Sequence, residues 1–235
     1  MKKLLLIAAT GAAIVAGSAN AATSSTAIKP YVNAFAGYTT IDAFSNSSDS
    51  SINQITITRK HHHPFSLGLA AGTDLVQLSS NLSLGAELSF DYALTQPEMS
   101  IAQQSTTQAD IKVQHYAINP MAYVAYSPMQ QLTIKAKAGF GYQHYGYKFS
   151  LPTINDGKNY SSSTGAWKPV LAAEVAYNIN DRFAVIAGDQ YTFGDNVDKT
   201  HWWQLVQKIQ NADNSWEGFS VPSNNMIYVG GQVKF

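Results

Sequence analysis

The chain has 235 residues, in which 15 Lys and Arg balance 15 Asp and Glu, and it contains no cysteine. The balance of charge argues against a nucleic-acid-binding protein, which would carry a basic excess. Without cysteine there are no disulfides, so packing and hydrogen bonding must hold the fold together. Only 13% of the residues are charged, whereas 11% are aromatic and tyrosine, with 13 copies, is the commonest aromatic.

Residues 1–21 have the features of an export signal. Lys2 and Lys3 form a positive start, residues 4–15 form a short apolar stretch, and the segment closes on Ala-Asn-Ala. We therefore predict a cleaved signal peptide followed by a mature single domain at 22–235. The alternative is a retained N-terminal anchor helix. Beyond this segment, no apolar run reaches the ~20 residues that a transmembrane helix needs.

Eight later segments alternate between apolar residues and polar or small ones, which is the pattern of a β-strand with two different faces. Leu82 to Tyr92 is the clearest, because every second residue from Leu82 is apolar. In the fourth segment Pro120 has no N–H to donate to a sheet, so we expect a bulge or a local break there. The predicted strands are Lys29–Thr40, Phe65–Gly72, Leu82–Tyr92, Ile111–Tyr126, Leu132–Tyr142, Trp167–Tyr177, Phe183–Phe193 and Asn224–Phe235.

The connections between these strands alternate in length. Long connections cover Ile41–Pro64, Thr95–Asp110, Ser150–Ala166 and Gly194–Ser223, and short ones cover Thr73–Asn81, Ser127–Gln131 and Asn178–Arg182. Bacterial membrane barrels combine short periplasmic turns with long extracellular loops, and an even strand count removes free edges. Each segment alone would also fit a soluble barrel. Together they predict an all-β fold, an eight-stranded antiparallel up-and-down transmembrane β-barrel.

From Lys29 to Phe235 the sequence resembles the outer-membrane barrels of the OmpA, OmpX and opacity-protein type. The resemblance rests on PYVNAFAGY, SLGLAAGTDL, LSLGAELSFDY, IKAKAGFGY and GGQVKF, which are generic to that superfamily. It implies a Gram-negative outer membrane, contact with its lipid and lipopolysaccharide, and recognition of the C-terminal strand ending at Phe235 by the barrel-assembly machinery. We expect no peptidoglycan-binding domain after the barrel, and the usual Gly-Tyr-Arg-Tyr is replaced by Gly188-Asp189-Gln190-Tyr191.

The inward positions of the predicted barrel carry charges of both signs. They include Glu87, Asp91, Lys135, Lys137, Lys168, Glu174, Gln190, Gln232 and Lys234. An eight-stranded barrel is just wide enough for side chains to fill it, so buried charges should pair. We expect Glu174 to pair with Lys135 or Lys137 and Glu87 to reach across the lumen. The interpretation we favour is a structural ion-pair plug, and the alternative is a narrow, gated ion path.

Asp189 interrupts the apolar face of the seventh predicted strand. A carboxylate facing lipid costs on the order of 1–4 kcal/mol, and the cost is smallest near the interface. Either a bulge turns Asp189 away from the lipid, or the residue lies at the outer rim. We favour the rim.

Candidate chemical residues are few. His61-His62-His63 is a conspicuous run, but adjacent residues of an extended chain point in opposite directions, so the three cannot hold one metal ion without a turn. An enzyme acting on envelope lipids would need a base beside a nucleophile or an acid. The candidate pairs are His144 with Ser150 and Asp189 with His201, and neither has the expected spacing. We therefore assign no catalytic, cofactor-binding or metal residue and no cofactor.

Residues 200–211, THWWQLVQKIQN, have helical apolar spacing and predict a short amphipathic helix. It would lie on the outer leaflet, cover the barrel mouth, bind a partner or only pack locally under the loop. The expected function is a structural or surface-interaction role, as an adhesin-like protein or antigen, through four extracellular loops and an extracellular surface ligand. The alternatives are a narrow porin-like channel and an envelope-lipid-modifying enzyme. The loops, and not the scaffold, would determine any ligand.

Overall fold

The computed structural model describes residues 29–41, 55–60, 63–103, 106–150, 159–195 and 221–235. The predicted signal peptide and the predicted helix at 200–211 lie outside these ranges. The described strands are β1 (Lys29–Ile41), β2 (Ile55–Lys60), β3 (Phe65–Ser79), β4 (Leu82–Ala93), β5 (Glu98–Gln103), β6 (Thr106–Met129), β7 (Leu132–Ser150), β8 (Asn159–Asn178), β9 (Phe183–Thr192) and β10 (Asn224–Lys234).

Eight of these strands close into an antiparallel barrel. They neighbour one another in the order β6-β4-β3-β1-β10-β9-β8-β7, and β7 pairs with β6 to complete the ring. The first and last strands pair along their length, from Tyr31 opposite Lys234 to Ile41 opposite Asn224. The predicted fold class is confirmed, and each of the eight predicted strands is present.

The alternation of the sequence puts apolar residues outside the barrel and polar or small residues inside it. On β4, Glu87 and Asp91 are buried in the lumen while Leu84 and Leu88 are exposed on the outside. The exposed outer band includes Tyr38, Leu67, Leu69, Val124, Phe140, Leu171, Val175, Val185, Ile227 and Val229. Among the described residues, no helix is long and apolar enough to cross a membrane. A polar inside and an apolar outside suit a barrel surrounded by lipid.

The two ends of the barrel differ. The end that carries the short turns and both Lys29 and Phe235 is named the turn end, and the opposite one the loop end. At the loop end, β6 (24 residues), β7 (19) and β8 (20) continue well beyond their neighbours. Their outer parts, residues 106–115, 145–150 and 159–164, form a sheet with β5 and β2, which is named the protruding sheet.

Several predicted connections are therefore partly wrong. The long connections predicted at Ile41–Pro64 and Thr95–Asp110 contain β2 and β5, and β6 begins at Thr106 and ends at Met129, inside predicted connections. Strand β8 begins at Asn159, inside the stretch predicted as a long connection, because its pairing with β7 continues outward to Asn159. Strand β3 extends to Ser79 through the stretch predicted as a short connection. Register shifts after Asp74 and after Gln77 interrupt the alternation of apolar and polar residues there. The end of this strand could therefore not be predicted from the alternation.

Strand β6 passes Pro120 without a bulge. Its pairs with β7 stop after Ile118–Tyr142 and resume in the same register at Met121–Gly139. Because proline lacks an N–H, this local break is one of the two expected results. Gly139 suits the site, since a Cβ there would overlap the carbonyl oxygen of Pro120.

Asp189 lies on the outer face of the barrel. It is opposite Ala173 on β8 and Ile227 on β10, and neither ladder shifts register. The bulge alternative is therefore absent. The rim position stays a prediction. Tyr191 and Phe193, whose rings make an edge contact, follow Asp189 toward the loop end.

Candidate functional site in the lumen and the protruding sheet

Four buried charged side chains meet in the lumen. Lys137 Nζ lies 2.7 Å from Glu87 Oε1 and 2.8 Å from Glu174 Oε2. Lys135 Nζ lies 3.2 Å from Glu174 Oε1, in an ion pair without hydrogen-bond geometry. All four residues are at most 5% exposed. The predicted pairing is confirmed, including the reach of Glu87 across the lumen, and these residues are named the ion-pair cluster.

Two inward tyrosines complete the ion-pair cluster. The hydroxyl of Tyr31 donates to Glu87 Oε2 at 2.7 Å, and that of Tyr228 donates to Glu174 Oε2 at 3.0 Å. Lys135 Nζ lies 3.8 Å from the centre of the Tyr31 ring. Each carboxylate therefore accepts from both a lysine and a phenol, which offsets the cost of removing its charge from water. Neither tyrosine is among the inward residues predicted from the sequence.

Inward glycines make room for the tyrosine rings. A Cβ added at Gly188 would lie 2.5 Å from the hydroxyl oxygen of Tyr228. A Cβ at Gly72 would overlap the hydroxyl of Tyr31. Large and small inward residues therefore interlock across the lumen, as filling a barrel of this width requires. The sequence did carry a signal for this interlocking, because glycines recur at inward positions while the outward positions are mostly occupied by larger residues.

A mostly uncharged layer lies between the ion-pair cluster and the loop end. Asn119 Nδ2 donates to Asp91 Oδ1 at 2.8 Å, and Gln143 Nε2 donates to Asn119 Oδ1 at 3.0 Å. His115 Nε2 lies 3.0 Å from Gln143 Oε1, and its ring stacks on Tyr145 with centroids 4.5 Å apart. All five residues are buried. This second layer fills the lumen with hydrogen-bonded side chains.

At the turn end, a cavity of about 740 Å³ opens below the ion-pair cluster. Lys135, Asp74, Gln232 and Lys234 are among its lining residues. Gln232 Nε2 donates to Asn33 Oδ1 at 2.9 Å, so its predicted inward direction is confirmed. The lumen is thus open near the turns, and the ion-pair cluster lies between this cavity and the layer around Asn119.

The remaining predicted inward residues lie nearer the loop end. Gln190 is buried in the lumen. Lys168 Nζ lies 2.6 Å from Asp195 Oδ1, and the side chains are 17% and 49% exposed. This ion pair is separate from the buried ion-pair cluster and is far more accessible to water.

The structure does not bring His144 and Ser150 together. The ring of His144 stacks on Tyr116 with centroids 4.6 Å apart. Ser150 is six residues further along the same strand, about 20 Å away at the usual rise per residue. The other candidate pair is not described, since His201 lies outside the described ranges.

The histidine run is described only at His63. Its Nδ1 lies 3.0 Å from Thr40 Oγ1, whereas His61 and His62 lie outside the described residues. Across the ranges that the structure describes, no three His, Cys, Asp or Glu side chains form a group that could hold a metal ion.

The inner face of the protruding sheet is apolar and buried. Tyr145, Tyr147 and Phe149 stack in a row along β7, with successive centroids 6.4 Å apart, and each is at most 3% exposed. Ile111 and Val113 on β6 are fully buried. This packing fixes the protruding sheet as an ordered continuation of the barrel wall.

Comparisons with known proteins agree with this architecture. The model of the family described as "Outer membrane protein beta-barrel domain" matches residues 9–233. A major outer membrane protein from Thermus thermophilus is similar in structure, with a TM-score of 0.56 and 15% identity over 88% of this chain and 99% of that chain. A search of curated proteins finds no match.

Two further solved structures are similar at lower scores. Ail, the attachment invasion locus protein of Yersinia pestis, has a TM-score of 0.46 and 13% identity, with 88% of this chain and 97% of that chain covered. Neisserial surface protein A has a TM-score of 0.45 and 13% identity, with the same coverage. The family match spans nearly the whole chain, and the closed barrel has the apolar outer band that lipid requires. The chain belongs to the outer-membrane β-barrel family.

Proposed function

We propose that this protein is an adhesin-like surface-interaction protein, in which a plugged barrel holds the protruding sheet and its connections outside the cell. The observation that carries the proposal is the continuation of β6, β7 and β8 past the barrel, above a lumen filled with side chains. In barrels of this class the short turns are periplasmic and the longer connections extracellular. The protruding sheet then faces the surroundings of the cell.

The order of the protruding sheet supports a binding role. A rigid platform loses little conformational entropy when a partner binds, which favours affinity. The buried row formed by Tyr145, Tyr147 and Phe149 holds β7 in place and leaves its opposite face outward. The connecting segments are then positioned by a rigid sheet, as recognition loops usually are positioned by a rigid scaffold.

Shortening the protruding sheet tests the proposal. Tyr147 and Ser162 lie opposite each other, so residues 148–161 can be replaced by an Asn-Gly turn without changing the register. We expect attachment of producing cells to epithelial monolayers, or to surfaces coated with laminin, fibronectin or collagen, to fall several-fold toward that of cells lacking the protein. Attachment equal to that of the unaltered protein would contradict the proposal.

The shortened protein must still form a barrel for this result to be interpretable. Unboiled and boiled samples run on gel electrophoresis provide the control, because a closed, detergent-resistant barrel migrates differently before it is unfolded. We expect the mobility shift to be the same for the shortened and the unaltered protein. The loss of attachment would then be caused by the shortening of the protruding sheet and not by misfolding.

The narrow-channel alternative has one observation in its favour, the open cavity at the turn end. An ion would have to pass the ion-pair cluster and the layer around Asn119 and Gln143 to cross the barrel. Planar-bilayer recording separates the alternatives, since a plugged barrel gives no stable conductance steps. Mass spectrometry of lipid A from cells with and without the protein tests the enzyme alternative, which predicts a mass change.

We also propose that the C-terminal strand is the assembly signal. Phe235 is 76% exposed at the turn end, and its backbone N–H donates to the carbonyl of Pro30 at 3.0 Å. The ring therefore contributes little to packing within the barrel. Recognition by the barrel-assembly machinery would explain an aromatic residue at this position.

Changing Phe235→Ser tests this signal. We expect the amount of folded protein in the outer membrane to fall several-fold, while refolding of the purified variant in detergent micelles is nearly unchanged, because the ring is exposed. Quantitative immunoblotting of membrane fractions measures the first effect and the heat-dependent gel shift the second. Equal losses in cells and in micelles would indicate a structural role for the ring instead.

A further inference from the structure

Charged residues of both signs line the cavity at the turn end. Its volume of about 740 Å³ is within the ~300–1,000 Å³ that is usual for small-molecule sites. Lysines and carboxyl-bearing residues contribute to the lining in equal number, namely Lys29, Lys135 and Lys234 against Asp74, Asp181 and the terminal residue Phe235. Because these charges balance, the cavity favours neither a simple anion nor a simple cation.

Asp74 provides a negative pole in this cavity. Its Oδ1 accepts hydrogen bonds from Tyr123 at 2.8 Å and from Ser83 at 3.2 Å. Among the described residues no lysine or arginine forms an ion pair with it, although Lys29 is directly opposite on β1. The side chain is only partly buried, so the carboxylate is accessible to a cation in the cavity.

Lys234 and Lys135 provide the positive pole. Lys234 Nζ donates to Asn178 Oδ1 and forms no ion pair with any carboxylate that the structure describes. Lys135 Nζ is buried, and its ion pair with Glu174 leaves its N–H groups without a hydrogen-bond acceptor. The two ammonium groups are near enough to repel each other. A carboxylate between them would accept charge-assisted hydrogen bonds from both and remove this repulsion.

The two poles are about one dipeptide apart. Lys234 is opposite Tyr31 on β1, and Asp74 is opposite Lys29 on the other side of the same strand. Two strand spacings and a rise of two residues separate the Cα atoms of Lys234 and Asp74 by ~12 Å. An extended dipeptide is ~7 Å long, and a hydrogen bond of ~2.8 Å at each end brings its reach to about the same distance.

The rest of the lining is rich in amide side chains, among them Gln77, Gln131, Asn180 and Gln232. An amide side chain donates and accepts hydrogen bonds as a peptide group does, so it can pair with the N–H and C=O of a peptide. The hydroxyl groups of a sugar would also suit these amides. A sugar, however, would bring no charge to Asp74 or to the two lysines.

We propose that the cavity binds a short peptide with free termini, of dipeptide size, whose carboxylate lies between Lys135 and Lys234 and whose ammonium group lies against Asp74. Such a zwitterion brings one charge of each sign, so the balance of charge in the cavity is kept while each pole gains a partner. In barrels of this class the turns are periplasmic, so the ligand is a peptide of the periplasm. The site is separate from the protruding sheet and does not depend on surface attachment.

Isothermal titration calorimetry of the purified full-length barrel tests the site with three ligands. They are the dipeptide alanyl-alanine, its N-acetylated form and its C-terminal amide. The detergent is an uncharged polyoxyethylene ether, because a zwitterionic headgroup would compete with the peptide. The loss of one hydrogen bond to a charged group changes an affinity by about tenfold or more. We expect each blocked form to bind weaker than the free dipeptide by about that factor.

The variants Lys234→Gln and Asp74→Asn distinguish the two ends of the ligand. Gln keeps a donor for Asn178, and Asn keeps an oxygen that accepts from Tyr123, so the heat-dependent gel shift should be unchanged. We expect K234Q to lower the affinity for the free dipeptide about tenfold and to leave the affinity for its amide unchanged. D74N should weaken binding of the free dipeptide in the same way and leave binding of the N-acetylated form unchanged.

Two matched variants remove the same charges on the protruding sheet. K148Q and D110N should bind all three ligands like the unaltered protein. Equal losses in these variants would overturn the site in favour of a general charge effect. It would also be overturned if K234Q lost as much affinity for the amide as for the free dipeptide, or if alanyl-alanine did not bind at millimolar concentration. Acetate binding as tightly as the dipeptide would assign the lysines to a simple anion instead.

Discussion

Replacing Lys137 with methionine will lower the free energy of unfolding by about 3–5 kcal/mol, the usual cost of removing one partner from a buried ion pair. Lys137 bridges Glu87 and Glu174, and its side chain is 1% exposed. Its removal leaves two buried carboxylates with one lysine, Lys135, whose contact with Glu174 lacks hydrogen-bond geometry. Denaturant titration in phospholipid vesicles, followed by tryptophan fluorescence, measures the change.

Two variants serve as controls for Lys137→Met. Lys112→Met breaks an ion pair with Glu98 whose side chains are 51% and 33% exposed, and because water screens such a pair the change should cost far less than Lys137→Met. The double variant K137M/E87Q removes the uncompensated charge, because Lys135 and Glu174 remain as a balanced pair, and it should recover most of the lost stability. If K137M costs no more than Lys112→Met, the ion-pair cluster does not hold the lumen together.

Replacing Asp189 with alanine will raise the free energy of unfolding in lipid bilayers by about 1–3 kcal/mol, because a carboxylate on the lipid-facing surface of a barrel is costly. Asp189 pairs in the sheet with Ala173 and Ile227, so alanine fits without a change in register. The same titration in vesicles measures this gain in stability. The result would be unusual, because most point substitutions lower the free energy of unfolding.

The dependence on membrane thickness distinguishes this effect from a change in strand propensity. In vesicles of short-chain lipid the carboxylate lies nearer to water, so the gain from Asp189→Ala should shrink. Asp181→Ala, in a turn outside the barrel wall, should change stability by less than about 0.5 kcal/mol in either lipid. An equal gain from Asp189→Ala in thick and thin bilayers would mean that its side chain does not sense the hydrocarbon.

The barrel wall was predictable because lipid and lumen impose opposite requirements on alternate residues. In β4 this leaves apolar residues from Leu82 to Tyr92 on one face, and the predicted bounds match the strand within a residue. The protruding sheet was not predictable in the same way. Beyond the membrane the outer face needs no apolar residue, so Ser161–Gly165 on β8 reads as a connection although it pairs with β7.

The ion-pair cluster was predictable only in part. Glu174 and Lys135 lie opposite each other on neighbouring strands, so alternation and strand order sufficed to pair them. The hydrogen bond between Tyr31 and Glu87 crosses from β1 to β4, and its formation depends on the stagger of the strands around the barrel. Sequence spacing does not specify that stagger, so the tyrosines could not be assigned to the carboxylates.

The unbroken course of β6, β7 and β8 from the turns to the protruding sheet has a mechanical consequence. A pull on the protruding sheet, as when an attached cell is dragged by flow, acts along the strands. The backbone hydrogen bonds between β7 and β8 then share the load in shear, instead of opening one after another as in a peeled hairpin. The interruption at Pro120 makes the β6–β7 seam the weaker one, and we expect tearing under force to begin there.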